Sequence, residues 1–406
     1  MKLYQKIFTV IFMATLIVFA CYNFFEKRFE IKESLIELEK PETFVELKTY
    51  TSDIEDVLVS DLVFDHKWNE MYATAYNALG KNEENGFKYV RDKNGILYAG
   101  NFWNTPSDGV PELIKRINVL RKKVEDEDTK VVVLLYPCKY NEEWTDGYLG
   151  IPYCDYNYMI DDMTAYFRYY SINYIDYRQY FLDNQWKMEN IFYKTDHHWT
   201  TEAAFAGYQE LVRYLNREFD ENLNMFYTYR SKYNFDTYEN CFLGSQGRDA
   251  GIAYTGLDDF TLITPRFDTE YTYKYVNSDN LLEEYDGDIY DTLIDVSMLE
   301  SDDYYDNDLY RIYIDGVRLQ ETIINDNNED GLNVLFLRDS FSSPLSVFFS
   351  SYCNEMELMW SNNTDSEVME AKVEEKNYDY IFIGLSIDGF AGDGFDIYVD
   401  EVLTNE

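Results

Sequence analysis

The sequence predicts an α/β domain in which helices cover both faces of a mostly parallel sheet. Residues 131–136 form an unbroken apolar run that ends at Pro137, which is typical of a strand buried on both faces. Strand and helix patterns alternate again over residues 333–383, as expected for a three-layer fold. The chain has 406 residues, 46% of them hydrophobic, so it can form a large packed core.

The elements follow from local patterns. Asn94-Gly95 between two short apolar stretches predicts a hairpin over residues 87–98. Apolar positions at helical spacing, such as Ala204, Tyr208 and Leu211, predict the amphipathic helices. The predicted helices are 113–124, 159–169, 201–217, 341–352 and 368–375, and the predicted strands are 131–136, 172–175, 260–263, 333–337, 355–359 and 380–383.

Residues 266–330 interrupt this alternation. They are acidic and irregular, with one hairpin signal over 312–319 around Asp315-Gly316. This stretch is predicted to be an insertion, or a small β-rich subdomain, within a domain that spans residues 86–406.

The N-terminus predicts a membrane helix. Lys2 and Lys6 precede an apolar run over 7–25, close to the roughly 20 residues that span a bilayer. One interpretation is a signal-anchor over 1–25, followed by a stalk and entry helices over 26–85. The other is a cleaved signal peptide, because residues 18–20 resemble a cleavage pattern. The short leading segment and the long following domain predict a single-pass protein of the cell membrane with its domain extracytoplasmic.

The charge balance excludes one class of partner. The 76 acidic residues outnumber the 35 basic ones, and the net charge of −41 would repel nucleic acid. The 40 tyrosines and 27 phenylalanines permit stacking on sugar rings.

The first candidate site is a histidine pair. Asp196 and His198 are two residues apart, so in an extended segment they point to the same side, where a carboxylate can orient an imidazole base. His197 points to the other side and is predicted to pack or to bind substrate. A polar surface turn is the alternative interpretation of the motif.

The second candidate site is a strand–turn–helix. Residues 333–337 are predicted to form a strand that enters a tight turn with Ser340, followed by a helix. Catalytic groups gather at this edge of an α/β sheet, and free N–H groups of the first helical turn can bind an oxyanion. A serine that merely caps the helix is the alternative.

These motifs resemble a known family. The sequence Asp196-His197-His198-Trp199 looks like the motif that names the bacterial DHHW family, which is similar to the extracytoplasmic alginate O-acetylation proteins. Their domain is SGNH-hydrolase-like, with a rearranged strand order, and the resemblance covers residues 86 to about 390. It implies Asp196 as the orienting residue, His198 as the base and Ser340 as the nucleophile.

Other residues near the motifs are predicted to bind substrate: His197, Trp199, Lys139, Tyr140, Arg248 and Arg338. Lys139 and Tyr140 follow a strand end, and Arg248 belongs to a family-like segment at 244–248. Arg338 stands where relatives often have glycine.

The predicted function is acyl transfer through a Ser-His-Asp triad, as an O-acetyltransferase or acetylesterase acting on a cell-envelope or secreted polysaccharide. No cofactor and no metal are expected. A transferase would need a partner that passes the acyl group across the membrane, and a membrane-bound O-acyltransferase is the predicted one. Two alternatives stay open: a non-catalytic glycan-binding or scaffold protein, and a metal-dependent phosphoesterase, which would need ligands beyond the Asp-His-His triplet.

Overall fold

The computed structural model describes residues 3–37, 50–51, 54, 64–102, 109–124, 128–148, 150–277, 281–316, 318–375, 378–391, 395–399 and 402. The chain divides into two compact units, Met1–Leu79 and Gly80–Glu406.

The first unit contains helices α1 (Leu3–Glu37) and α2 (Asp65–Ala78). Residues Leu3–Phe29 of α1, with a mean hydropathy of 2.2, are long and apolar enough to cross a membrane, although a signal sequence would meet the same criterion. The helix continues beyond the predicted 7–25 segment into the predicted stalk. Residues 38–49, 52–53 and 55–63 of the remaining stalk lie outside the described residues.

The second unit alternates strands and helices. Its strands are β1 (Glu83–Glu84), β2 (Tyr89–Arg91), β3 (Leu97–Ala99), β4 (Lys130–Leu135), β5 (Asn173–Asp176), β6 (Tyr233–Phe242), β7 (Asp258–Pro265), β8 (Tyr271–Val276), β9 (Leu282–Gly287), β10 (Gln320–Asn325), β11 (Leu332–Arg338), β12 (Cys353–Trp360) and β13 (Tyr380–Leu385). Its α-helices are α3 (Val110–Lys123), α4 (Asn157–Tyr170), α5 (Tyr177–Asp183), α6 (Met188–Ile191), α7 (Thr201–Phe219), α8 (Ser245–Ala250), α9 (Ile252–Thr255), α10 (Ile289–Thr292), α11 (Ser342–Phe349), α12 (Ser366–Glu375) and α13 (Ile387–Ala391). Short 3-10 helices cover Met225–Thr228, Arg230–Lys232, Val296–Glu300, Leu309–Ile312 and Ser350–Tyr352.

The central sheet has eight strands among the described residues, in the order β5-β4-β13-β11-β12-β10-β8-β9. The first five are parallel, and the last three are antiparallel. The α/β class is therefore confirmed, with a sheet that is mixed overall. The chain leaves β4 toward one edge of the sheet and β11 toward the other, which is the arrangement that opens a crevice at the carboxyl ends of the strands.

The parallel strands β4, β11 and β13 are buried on both faces, as their apolar runs predicted. Val131 and Val133 pack toward a core that includes α3, α4 and α12, whereas Val132 and Leu134 pack toward α7 and α11. The three-layer architecture follows from this alternation, because each face of the sheet buries every second side chain against a helical layer.

The predicted insertion at 266–330 is part of the sheet. Strands β8, β9 and β10 extend the parallel strands at the β12 edge, so these residues do not form a separate subdomain. The predicted hairpin at 312–319 is wrong: Leu309–Ile312 is a 3-10 helix, and Tyr313 pairs with Ile294. Ile312, Tyr313 and Ile314 are buried in an irregular segment, with Ile314 and Asp315 at positive φ.

Among the described residues, two small sheets lie outside the central sheet, one of β1, β2 and β3 and one of β6 and β7. The predicted turn at Asn94-Gly95 joins β2 and β3 as expected, with Gly95 at a φ of 84°. Strand β7 pairs with β6 in a separate two-stranded ribbon. Strand β6 was missed because its middle residues are mostly exposed and polar and lack an apolar alternation.

Candidate active site

Ser340 lies in the turn between β11 and α11, at the carboxyl edge of the sheet. Asp339 fixes this turn, since one carboxylate oxygen accepts the Phe341 N–H at 3.0 Å and the other accepts the Ser386 N–H at 2.5 Å. The helix-capping alternative for Ser340 is not what the structure has. The N-cap position of α11 is Phe341, and the Ser340 hydroxyl bonds to His198 instead.

A continuous hydrogen-bond chain joins the three residues of the predicted triad. Ser340 Oγ is 2.6 Å from His198 Nε2, and His198 Nδ1 is 2.5 Å from Asp196 Oδ1. The second oxygen of Asp196 accepts the Ser245 N–H at 2.6 Å. Asp196 and His198 are 1% and 6% exposed, so water competes little for these bonds, whereas Ser340 remains partly exposed.

Asp196 is held as a carboxylate. Burial opposes its ionisation, but the charges of His198 and His197 and the hydrogen bonds that it accepts outweigh burial and hold its pKa well below the usual value. A buried anion in this position keeps a proton on Nδ1 of His198, which leaves Nε2 free to accept one from Ser340.

The loop that carries Asp196 is closed at its base by a bridge between Phe192 and Trp199. Trp199 is fully buried, packs on Tyr136 with ring centroids 4.9 Å apart, and donates its indole N–H to the Phe341 carbonyl at 3.0 Å. The prediction that Trp199 binds substrate is therefore wrong. Its indole anchors the histidine loop to the serine turn.

Lys139 supports the same loop from inside the protein. Its ammonium group donates to the carbonyls of Asp196 at 2.6 Å and Lys194 at 3.1 Å and to Gln246 Oε1 at 3.1 Å. Three acceptors match the three donors of a charged lysine. Burial lowers the pKa of Lys139 to about 7, against the opposing charges of Asp258 and other acids. The side chain is buried and fully engaged, so the prediction that it binds substrate is also wrong.

Asp258 and Gly244 complete the support of the loop. The Asp258 carboxylate accepts the N–H groups of Lys194 at 2.9 Å and Thr195 at 2.8 Å and the Thr195 hydroxyl at 2.7 Å. Gly244 packs so closely that a Cβ on it would lie 2.2 Å from Cβ of Asp196. The segment 244–248, noted in the sequence without a role, thus holds the orienting carboxylate in place.

Arg338 is the third substrate-binding prediction that the structure corrects. Its side chain is fully buried and ion-paired with Glu321, which is equally buried. It also donates to Ser343 Oγ at 3.0 Å and to the Gly316 carbonyl at 3.3 Å. Glu321 lies on β10, so the arginine ties the end of β11 to the antiparallel extension of the sheet.

His197, Tyr140 and Arg248, the other residues predicted to bind substrate, are partly exposed. The side chain of His197 is 46% exposed, and its Nδ1 lies 2.9 Å from Ser245 Oγ. Desolvation, followed by the charge of His198, lowers the pKa of His197, so this ring is neutral at neutral pH. Tyr140 stacks on Tyr153 with ring centroids 5.0 Å apart. Arg248 forms an ion pair at 3.1 Å with Asp308, which caps the 3-10 helix Leu309–Ile312.

Asp196, His197 and His198 also satisfy the geometry of a small metal site, with donor atoms within 4.8 Å of one another. Each of them already has a protein partner through one of these atoms: Asp196 and His198 bond to each other, and His197 bonds to Ser245. A bound cation would have to break the bonds that link Ser340 to Asp196.

One residue of the site gave no sequence signal. Tyr310 stacks on the His198 imidazole with centroids 3.8 Å apart and an interplanar angle of 10°. It comes from the irregular acidic stretch, where no periodicity or motif marks it. Asp339, by contrast, directly precedes the nucleophile candidate and could have been inferred from that position.

The three-layer α/β sheet, with a buried Asp–His pair bonded to a serine at a strand end, resembles the fold of SGNH-hydrolase-like domains. Residues 96–233 match the family model described as the SGNH hydrolase-like domain of the acetyltransferase AlgX. No curated protein sequence matches the chain.

Solved structures agree with this class. A Bacillus cereus PatB1 structure with a sulfonyl adduct superposes with a TM-score of 0.59 at 16% identity, covering 76% of this chain and 97% of PatB1. A DHHW family protein from Eubacterium siraeum superposes with a TM-score of 0.55 at 16% identity, covering 77% of this chain and 97% of that protein. The resemblance to DHHW and AlgX-type SGNH-like proteins, drawn from residues 196–199, is confirmed.

Proposed function

We propose that this protein is a serine-dependent acyl-transfer enzyme that acts outside the cytoplasm on a cell-envelope or secreted polysaccharide, as an O-acetyltransferase or acetylesterase. The hydrogen-bond chain from Ser340 through His198 to Asp196 carries the proposal. The match to an acetyltransferase-associated domain supports the choice of an acetyl group.

In the first step His198 Nε2 takes the proton of Ser340 Oγ as this oxygen attacks the acyl carbonyl carbon. Asp196 stabilises the imidazolium that forms. The tetrahedral intermediate then expels the donor oxygen, which receives the proton from His198, and an acyl-serine remains.

An oxyanion forms on the carbonyl oxygen during this step. The Phe341 N–H is bonded to the Asp339 side chain, and the N–H groups of Ser342 and Ser343 are bonded to carbonyls of the turn. The Ser340 N–H has no such acceptor among the described residues. We therefore assign it, rather than the first turn of the helix, as the oxyanion donor that this turn supplies.

In the second step a sugar hydroxyl or water attacks the acyl-serine, and His198 takes its proton and returns it to Ser340. His197 and Ser245 lie beside His198 with the imidazole of His197 partly exposed, so they are placed to bind the acceptor hydroxyl. Tyr140 and Arg248 remain proposed contacts for the rest of the glycan.

The apolar helix α1 supports attachment to a membrane with the domain outside. Acetyl-CoA is a cytoplasmic donor, so a transferase in that location needs a membrane-bound O-acyltransferase as a partner. An esterase would need no such partner. A requirement for the membrane-bound O-acyltransferase would therefore distinguish a transferase from an esterase.

The test is hydrolysis of p-nitrophenyl acetate by the purified full chain in detergent. Ser340→Ala and His198→Ala should each lower the rate by several orders of magnitude, as expected for members of one catalytic unit. Matched controls, Ser301→Ala and His66→Ala, change the same residue types outside the site and should keep the rate. A rate equal in all five proteins would contradict the proposal, and transfer to an oligosaccharide in place of water would identify a transferase.

A further inference from the structure

Tyr310 covers one face of the imidazole of His198. The two rings are nearly parallel, at 10°, and their centroids are 3.8 Å apart, which is direct ring-to-ring contact. Tyr310 is 3% exposed, so no water separates the rings. The arrangement places the negative face of an aromatic ring against the residue that becomes positively charged during proton transfer.

The surrounding structure fixes Tyr310 in this position. It lies in the 3-10 helix Leu309–Ile312, which Asp308 caps by accepting the Tyr310 N–H at 3.2 Å. Asp308 is in turn paired with Arg248 at 3.1 Å. The ring is therefore held by the same segment, 244–248, that positions Asp196.

The hydroxyl group of Tyr310 does not explain this placement. It is buried beside the indole N–H of Trp199, but that N–H donates to the Phe341 carbonyl, and the hydroxyl makes no hydrogen bond of good geometry among the described residues. Burial raises the pKa of the Tyr310 hydroxyl well above its usual value, so the group is neutral at physiological pH. The ring face, and not the hydroxyl, is the part of Tyr310 that meets the site.

We propose that Tyr310 is a positioning residue that stabilises the imidazolium form of His198 through a cation–π contact during acyl transfer. This inference rests on the proposed function. Asp196 and His197 face the same imidazole from its own loop, and Ser340 and Asp339 face it from the turn after β11. Tyr310 adds a contribution from the 3-10 helix Leu309–Ile312, and this contribution involves no proton transfer.

Removing the aromatic face should weaken proton binding by His198. Tyr310→Leu is expected to lower kcat/KM about tenfold and to move the acid limb of the pH–rate profile about one unit lower, because a desolvated cation–π contact has about this strength. Tyr310→Phe keeps the face and loses only the unpartnered hydroxyl, so it should keep both the rate and the profile.

The deciding experiment measures the titration of the His198 imidazole directly. Full chain labelled with ¹⁵N-histidine contains three histidines, and the His198 signals can be assigned by their loss in His198→Ala. In Tyr310→Leu these signals should titrate at lower pH than in the unchanged protein and in Tyr310→Phe. If Tyr310→Leu does not fold, tetrafluorophenylalanine incorporated at position 310 keeps the ring shape, removes its negative face and should give the same downward movement.

An unchanged titration in the folded variants, with a rate that falls equally at every pH, would overturn the proposal and leave Tyr310 as packing only. The titration needs no turnover. If the unchanged protein lacks Ser340-dependent activity, the proposed function fails, while the titration still decides whether the ring stabilises the charged imidazole.

Discussion

Replacing Gly244 with alanine puts a methyl group into space that Asp196 occupies. The new Cβ would lie 2.2 Å from Asp196 Cβ and 2.6 Å from both Asp196 Cα and Oδ2. Ordinary contact begins near 3.4 Å, so one of the two segments must move by about 1.2 Å, the difference between 3.4 and 2.2 Å. The obstructing atoms include backbone, which cannot simply rotate away.

A displacement of this size is enough to disrupt the hydrogen bond between Asp196 and His198. Asp196 holds His198 at 2.5 Å, and a movement of about 1 Å in a catalytic group can cost roughly 100-fold in rate. Complete loss of the carboxylate's orienting role would cost up to about 10⁴-fold. Overpacking of this kind typically lowers the free energy of unfolding by about 1–3 kcal/mol. We therefore expect Gly244→Ala to lose 10²- to 10⁴-fold in kcat/KM (an order-of-magnitude range) while still folding.

The assay is p-nitrophenyl acetate hydrolysis paired with a thermal melt of the same preparation. Gly109→Ala is the matched control, because a methyl group there meets nothing within 4 Å. Full activity in a folded Gly244→Ala protein would refute the reasoning that close packing of this glycine positions Asp196.

Three further predictions concern buried charges and metals. In denaturant titrations, Arg338→Ala should lower the free energy of unfolding by about 3–5 kcal/mol because it leaves Glu321 without its ion pair, and adding Glu321→Gln should recover part of this loss. An undiminished stability in Arg338→Ala would contradict the role of this ion pair in stability. Lys139 has a pKa lowered to about 7, so the unfolded chain binds more protons between pH 7 and the usual lysine range, and stability relative to Lys139→Met should rise by about 1–3 kcal/mol from pH 7 to 9. A difference that stays constant or falls over this interval would contradict the lowered pKa. EDTA should leave the Ser340-dependent rate unchanged, whereas a loss that zinc restores would favour a metal centre at Asp196.

The sequence was sufficient where local patterns decide the structure. Uninterrupted apolar runs such as residues 131–136 predicted strands covered on both faces, and the structure has β4 there with cores on each side. The spacing of Asp196 and His198 predicted side chains on one side of an extended segment, and the two bond directly. Both features depend on a few neighbouring residues and not on distant packing.

The substrate-binding predictions failed for residues whose contacts come from distant parts of the chain. Trp199, Lys139 and Arg338 stand next to the motifs in sequence, but their partners are Phe341, the carbonyls of the histidine loop and Glu321, each brought close only by the fold. Adjacency to a catalytic residue therefore did not imply exposure to substrate.

The sheet extension could not be predicted for the same reason. Strand β10 pairs with β12 and β8, at positions remote in the chain, and β9 has an exposed acidic sequence without apolar alternation. Tyr310 contacts His198 only because the segment between β9 and β10 folds back over the site.

The most direct test of the central claim is covalent labelling of Ser340 by a sulfonyl fluoride, read by mass spectrometry of the intact protein and its peptides. The account predicts one adduct, located on Ser340, formed much more slowly in His198→Ala because the base that activates the hydroxyl is gone. An unlabelled Ser340 in folded protein, or labelling that proceeds equally fast without His198, would contradict a Ser340–His198–Asp196 catalytic unit.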